Sequence, residues 1–285
     1  MPAYAVTGAT GHLGRLVIED LLDRGVPAAE IVAVARSEAK AADLARRGVQ
    51  VRLADYSLPE TLPAALDGVR RLLLISGDVP GRRPALHAAV IEAARAAGVE
   101  RVVYTGLLRA GTSASPLAPD HRATEEILAA SGVPFTVLRN GWYTENHTDQ
   151  LPRYLERGEI LGAAGSGRIS AAPRADYAGA AAAALTGDEH DGAVYELAGQ
   201  AFTLDELAAT VTEVTGTKVV YRDLPAAEYA AALRRSGMDE GTAAFVASLD
   251  ESIARGDLEA GAGDLARLLG RPVTPLDEVI RNARP

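Results

Sequence analysis

Three glycines near the start of the chain, Gly8, Gly11 and Gly14, constrain the fold more than any other feature of the sequence. An apolar run at residues 4–7 precedes them, and apolar side chains at helical spacing follow. The pattern therefore predicts a strand, a tight turn and a helix. Glycine lets the turn form, lets a pyrophosphate approach the main-chain amides, and lets the helix pack closely on the strand.

The spacing of three and three differs from the best-known dinucleotide fingerprint, G-x-G-x-x-G, so the triplet alone is a weak signal. Its position between a strand and an amphipathic helix, with a second strand about 20 residues on, is what favours dinucleotide binding. The alternative is a purely structural turn. The predicted anion contacts are the backbone groups of Gly8, Ala9, Thr10, Gly11, His12 and Leu13.

The second predicted strand, residues 31–35, ends at Arg36 and has no acid at that end. A carboxylate there would bind a ribose 2′-hydroxyl, whereas an arginine pairs with a 2′-phosphate. Lys40 lies one turn into the next helix, after Ser37 as a candidate N-cap. The sequence therefore favours NADP over NAD, the alternative being that Arg36 is a solvated charge.

Further strands are expected at residues 49–53, 72–75, 101–105 and 135–139, each followed by polar or small residues. Asp55 could accept a bond from the adenine amino group or could serve only in a turn. We also assign cofactor contacts to Ser76, Gly77, Asp78 and Thr105, which lie at strand ends. Ligands of such sheets bind outside the carboxyl ends of the strands.

The alternation of strands and helices predicts an α/β fold, a Rossmann-like doubly wound parallel sheet. Residues 1–150 would form the NADP-binding domain, with residues 174–200 packing back onto it. Residues 151–285 would form a smaller, mostly helical lobe that walls a substrate cleft. Residues 158–167 are glycine-rich and predict a loop, and His87 is expected on the surface of its helix.

The charge and composition exclude several functions. A net charge of −9 and the lack of any Lys/Arg run longer than two argue against nucleic acid as a partner. The chain has no cysteine, shows no targeting pattern at its beginning, and gives no signal for a metal site. The longest apolar stretches, near residues 178–185, are too short to span a membrane. We expect a cytoplasmic protein, and allow for a homodimer.

Lysine is nearly absent, since Lys40 and Lys218 are the only two. Short-chain dehydrogenases use a tyrosine with a lysine four residues later, and no tyrosine here has one. Either the acceptor needs little proton assistance, or the protein does not catalyse a reaction. A quinone fits, because its reduction gives a delocalised phenolate-type anion, whereas a simple ketone gives an alkoxide.

The segment after the sixth strand carries the predicted catalytic residues, Asn140, Trp142, Tyr143 and Asn146. They offer amide hydrogen bonds and a stacking surface for a flat aromatic or quinone substrate. Trp142, the chain's only tryptophan, could instead be a core residue where the two lobes meet. His147 and His121 are candidate proton donors, or else surface or capping residues.

Seven segments that cover nearly the whole chain in order carry a family resemblance. They are residues 7–14, 31–40, 54–56, 72–76, 138–146, 174–177 and 194–199. Together they resemble the NmrA-like atypical short-chain dehydrogenases, especially the NADPH-dependent quinone reductases, with triphenylmethane reductases as near relatives.

The resemblance implies that NADP(H) is held by residues 8–13, by Arg36 at the 2′-phosphate, by residues 76–78 and by residues 140–145, including Asn140, Gly141, Trp142 and Tyr143. It also places Arg174 near the cofactor, although a surface salt bridge is an equal alternative. The expected function is an NADPH-dependent reductase of quinones or similar conjugated acceptors. The alternatives are a non-catalytic NADP(H)-sensing regulator and a reductase of another substrate class, such as triphenylmethane dyes.

Overall fold

The computed structural model describes residues 3–77 and 79–283. The strands in these residues are β1 Tyr4–Val6, β2 Ile31–Ala35, β3 Gln50–Leu53, β4 Arg71–Leu74, β5 Arg101–Leu107, β6 Phe135–Asn140, β7 Glu159–Gly162, β8 Val194–Leu197 and β9 Val220–Asp223. The helices are α1 His12–Asp23, α2 Glu38–Arg46, α3 Leu62–Leu66, α4 Arg83–Ala96, α5 Ala118–Ala130, α6 Glu145–Thr148, α7 Leu151–Arg157, α8 Arg174–Thr186, α9 Leu204–Thr215, α10 Ala226–Arg235, α11 Glu240–Ala254, α12 Gly263–Leu269 and α13 Leu276–Asn282.

The main sheet is parallel throughout and has the order β3-β2-β1-β4-β5-β6-β8. The order reverses at β1, where the chain crosses from one half of the sheet to the other. In a doubly wound sheet this switch point opens a crevice at the carboxyl ends of the strands. The predicted Rossmann-like class is therefore confirmed.

Alternate residues of the strands enter two different cores. Val6, Leu73 and Val103 pack with α1 and α8 on one face, whereas Leu72 and Val102 pack with α3, α4 and α5 on the other. Because side chains alternate across a strand, strands buried on both faces must be apolar almost throughout, as β2 is.

A third core lies among the later elements and includes Leu151, Ile160, Leu207 and Ile253. It packs around a two-stranded parallel sheet made of β7 and β9. Within the described part of the chain, no helix has the length and apolar character needed to cross a membrane.

The structure corrects two local expectations. Residues 158–167 were expected to form a loop, but β7 lies there, because its pairing with the distant β9 supplies the backbone hydrogen bonds. His87 was expected on the surface, yet it is fully buried. The division into a cofactor domain of residues 1–150 and a substrate lobe of residues 151–285 stays a prediction.

Candidate active site

The glycine turn connects β1 to α1 as the sequence predicts. Gly8 has φ of 59°, which favours glycine, and a side chain at Gly14 would come within 2.4 Å of the Gly8 carbonyl oxygen. Gly11 caps α1 without any side-chain hydrogen bond. The first amides of α1 are therefore available to an anion, and the helix dipole favours one there.

A cavity of about 430 Å³ opens beside this turn. We call it the strand-end cavity, because its walls come from the carboxyl ends of β1 to β4 and the residues that follow them. Eight predicted cofactor residues line it: Gly8, Thr10, Gly11, Arg36, Lys40, Asp55, Ser76 and Gly77. Ala9 and Leu13 are buried in the adjoining core, and His12 is exposed at the start of α1.

Arg36 and Lys40 are exposed cations on the rim of the strand-end cavity. Neither side chain pairs with a carboxylate anywhere in residues 3–77 and 79–283. Arg82 adds a third positive charge to the same wall. These three positive charges outnumber Asp55, the acidic residue among the described residues that line the cavity, and they suit a phosphate group.

Asp55 follows β3 and makes a turn, as one of its two predicted roles requires. Its Oδ1 accepts hydrogen bonds from the Ser57 amide at 2.8 Å and the Ser57 hydroxyl at 2.7 Å. These bonds, the amide first, lower the pKa of Asp55, with Arg36 as a smaller contributor. The turn leaves Oδ2 available to a ligand in the cavity.

The loop after β4 is held from behind by two buried side chains. Thr105 Oγ1 accepts from the Ser76 amide at 2.9 Å, and His87 Nε2 accepts from the Gly77 amide at 3.0 Å. His87 is thus a neutral ring protonated on Nδ1, which lies 2.9 Å from Thr124 Oγ1. Burial lowers the pKa of His87 to about 4, which keeps this arrangement at neutral pH. The predicted contact Asp78 lies outside the described residues.

Asn140 ends β6 and is 5% exposed. Its Nδ2 donates to the Tyr143 hydroxyl at 3.4 Å, but its buried Oδ1 has no partner among the described residues. A buried amide oxygen without a donor is costly, so it points to a missing ligand group. Gly141 has a packing role, because a side chain there would come within 2.6 Å of the Ser170 carbonyl oxygen.

Tyr143 lies under the guanidinium of Arg174, whose central carbon is 4.9 Å from the ring centroid. Arg174 also pairs with Glu145 at 3.8 Å and donates to Asn146 Oδ1 at 3.3 Å. The structure thus shows Arg174 in a salt bridge, though a partly buried one. Burial raises the pKa of Tyr143, so this phenol is not activated as an acid.

A second cavity, of about 250 Å³, begins at Trp142 and Asn146 and extends among α7, α10 and α11. We call it the helical-lobe cavity. Tyr154, Tyr229, Leu233 and Met238 contribute to its largely aromatic and aliphatic wall. Trp142 therefore lies at the edge of a cavity and also packs against the third core.

The two candidate histidine donors are both neutral. Burial lowers the pKa of His121 to about 3, and its Nδ1 is 2.7 Å from the Tyr104 hydroxyl. Burial also lowers the pKa of His147 to about 4, and its Nε2 is sealed without a partner. In the described part of the chain, no cluster of three or more His, Asp or Glu side chains is arranged to hold a metal ion.

Sequence reasoning missed several residues that line the cavities, notably Tyr56 and Arg82 in the first and Tyr229 and Asp250 in the second. Tyr56 belongs to the segment 54–56 that carries the family resemblance. Its hydroxyl donates to the Ile75 carbonyl at 3.1 Å and so closes one wall. Asp250 gave no signal, because one acid in an amphipathic helix looks like a solvated residue.

Comparison with known proteins places this chain in one family. A family model described as NAD(P)H-binding matches residues 8–188. The NADPH-dependent quinone oxidoreductase of Escherichia coli, solved with NADPH, is 48% identical, with a TM-score of 0.95 over 98% of this chain and 99% of that one. The triphenylmethane reductase of a Citrobacter species, solved with NADP(H), is 40% identical, with a TM-score of 0.95 over 99% of this chain and 100% of that one.

A curated relative in Aspergillus flavus, an NmrA-like family domain-containing oxidoreductase, is 34% identical over 97% of this chain and 93% of its own length. These similarities extend over nearly the whole chain, and they confirm the family that the motifs predict. This chain belongs to the NAD(P)H-binding family, among the NmrA-like atypical short-chain dehydrogenases.

Proposed function

We propose that this protein is an NADPH-dependent oxidoreductase that transfers a hydride to quinones or similar conjugated acceptors. The observation that carries the proposal is the unpartnered, buried Oδ1 of Asn140. It lies at the end of β6, two residues before Trp142, where the helical-lobe cavity begins. A cofactor amide at Asn140 would bring the nicotinamide end of the cofactor close to that cavity.

The strand-end cavity fits the cofactor. The bound cofactor supplies the hydride, and the chain's task is to hold it in place. We assign the pyrophosphate to the turn at residues 8–13, the 2′-phosphate to Arg36 and Lys40, and the adenine amino group to Asp55. The loop of Ser76 and Gly77, fixed by Thr105 and His87, borders the same space.

The remaining predicted site residues place the reacting rings. Asn140 would accept a hydrogen bond from the nicotinamide carboxamide, and Tyr143, held by Arg174, would support the cofactor from below. Trp142 and Asn146 would present the acceptor ring, by stacking and by an amide hydrogen bond. Catalysis then depends mainly on orienting two flat rings and excluding water.

The test is NADPH oxidation, followed by absorbance, with benzoquinone, naphthoquinone, a triphenylmethane dye and a simple ketone. We expect quinones to be reduced and the ketone to be inert. Asn140→Ala should lower kcat/KM for quinones about tenfold or more, because it removes a buried hydrogen bond to the reacting cofactor. Asn282→Ala, at an exposed position of α13, is the matched control.

If NADPH is not oxidised with any of these acceptors although NADP(H) binds tightly, the proposal is refuted in favour of a non-catalytic sensor. Reduction of the dye alone would move the substrate class to cationic conjugated acceptors. We also propose that the protein acts in the cytoplasm, and that it could do so as a homodimer. Cell fractionation and size-exclusion chromatography with light scattering test these two proposals.

A further inference from the structure

Two acidic residues line the helical-lobe cavity, Glu159 and Asp250, and Glu159 is paired with Arg222 at 3.8 Å. Asp250, on α11, lines the cavity together with Trp142, Tyr154 and Tyr229. Its Oδ2 accepts a hydrogen bond from the Ala163 amide at 2.7 Å. Its Oδ1 forms no hydrogen bond with the residues that the structure describes, so it remains available to a ligand.

The chain makes room for this carboxyl group. Gly162, the last residue of β7, lies so close that a side chain there would come within 2.8 Å of Asp250 Oδ2. The same added carbon would meet Leu204 at 2.9 Å and Tyr221 at 3.1 Å. The position of Asp250 is thus fixed by the hydrogen bond from the Ala163 amide and by Gly162. A larger residue at position 162 would force the neighbouring side chains to move.

The other polar groups of the cavity are less suited to protonate the carbonyl oxygen of the acceptor. His147 Nε2 is sealed from the cavity, and the phenols of Tyr154 and Tyr229 have raised pKa values, because of burial first and of Asp250 second. Arg153, Arg157 and Glu159 also line the cavity, and Arg157 and Gln150 are exposed to solvent. Protons can therefore reach the cavity from water.

We propose that Asp250, as a neutral carboxylic acid, donates a hydrogen bond to the acceptor's carbonyl oxygen and then protonates it. The proposal rests on the function given above. Hydride addition brings two electrons to the quinone and leaves a phenolate oxygen. The O–H bond of Asp250 breaks as the new O–H bond forms, which gives a hydroquinone and oxidised cofactor. The carboxylate regains its proton from water.

Charge around Asp250 supports this role. Burial first, and the nearby carboxylate of Asp223 on β9 to a lesser extent, raise the pKa of Asp250 to about 6, against the lowering effect of the Ala163 amide hydrogen bond. Asp223 is itself held by Tyr221 at 2.6 Å and by the Gly165 amide at 2.9 Å. Roughly a tenth of Asp250 is therefore protonated at pH 7, which is far more than for an exposed aspartate.

The test is binding of naphthoquinone and of naphthol without NADPH, read from the fluorescence of Trp142, the only tryptophan. Naphthoquinone accepts hydrogen bonds, so its Kd should rise about tenfold from about pH 5 to about pH 8 as Asp250 ionises. Naphthol donates a hydrogen bond, so its Kd should fall over the same range. With NADPH present, kcat for quinones should decline on the same alkaline limb.

Asp250→Asn keeps an acceptor for the Ala163 amide and should abolish both pH dependences. Asp223→Asn should shift their midpoint to lower pH, because it removes a neighbouring negative charge. Glu251→Gln, at the next and exposed position of α11, should behave as the wild type does. A pH-independent Kd in the wild type, or an unchanged dependence in Asp250→Asn, would overturn the assignment. Failure of the function itself would show separately, as absent NADPH oxidation with normal naphthoquinone binding.

Discussion

The strand-end cavity and the helical-lobe cavity are built in different ways. The first is made largely of backbone at the ends of neighbouring strands, with glycines, a helix N-terminus and exposed cations. The second is made of side chains from helices that are far apart in the sequence, such as Tyr154, Tyr229 and Asp250.

The two designs suit two tasks. A diphosphate needs main-chain donors and positive charge that hardly depend on the side chains nearby, so a short stretch of sequence can encode the site. A conjugated acceptor needs shape, apolar surface and a few placed polar groups, which distant elements must supply together. Substitutions in the first cavity should therefore affect the cofactor, and those in the second should affect the acceptor.

The largest effect that would test this contrast is expected from Gly14→Ala. The added carbon would lie 2.4 Å from the Gly8 carbonyl oxygen and 2.8 Å from Ala9 Cα, both of them rigid backbone atoms. The turn must then shift, at a cost of about 3 kcal/mol or more, and NADPH affinity should fall on the order of 100-fold. Calorimetric titration measures the affinity. Gly261→Ala, where the new carbon meets nothing within 4 Å, is the control.

Arg36→Ala should separate the two dinucleotides. It removes a charge-assisted contact to the 2′-phosphate, worth about 1.5 to 3 kcal/mol, so the KM for NADPH should rise roughly 10- to 100-fold. The KM for NADH should change little. Arg46→Ala, an exposed arginine of α2 outside the cavity, is the control. Equal losses for both cofactors would contradict the 2′-phosphate assignment.

The contrast between a cavity encoded by short stretches of sequence and one built from distant elements also explains which features the sequence could predict. The bounds of β2 and the glycine turn are local patterns, and they appear as expected. β7, the buried His87 and Asp250 all depend on partners far away in the chain. Their partners are β9, the Thr124 hydroxyl and the amide of Ala163, and no single stretch of sequence encodes such a pair.

Asp250→Asn should stabilise the protein at neutral pH. The pKa of Asp250 rises on folding from its ordinary value of 3.8 to about 6, so ionising it costs more in the native state. Native stability is therefore lost as pH rises between these values, and the variant should gain about 3 kcal/mol near pH 7 and little below pH 4. Urea unfolding at several pH values measures this difference. Glu251→Gln should show no such gain, and a gain that does not vary with pH would contradict the raised pKa.

The smallest effect is expected from Thr105→Val, which removes one hydrogen bond behind the strand-end cavity. Thr105 Oγ1 accepts from the Ser76 amide, and valine keeps the shape but leaves that amide without its acceptor. A loss of about 1 kcal/mol should weaken NADPH and NADH alike by about fivefold, because the loop does not contact the 2′-phosphate. Thr136→Val is the control. Thr136, near the start of β6, donates a buried hydrogen bond to the His190 carbonyl, so its loss should lower stability without changing cofactor affinity. If Thr105→Val weakened NADPH binding more than NADH binding, the loop of Ser76 and Gly77 would lie closer to the 2′-phosphate than we assign it. Arg36 and this loop would then both contribute to the preference for NADPH.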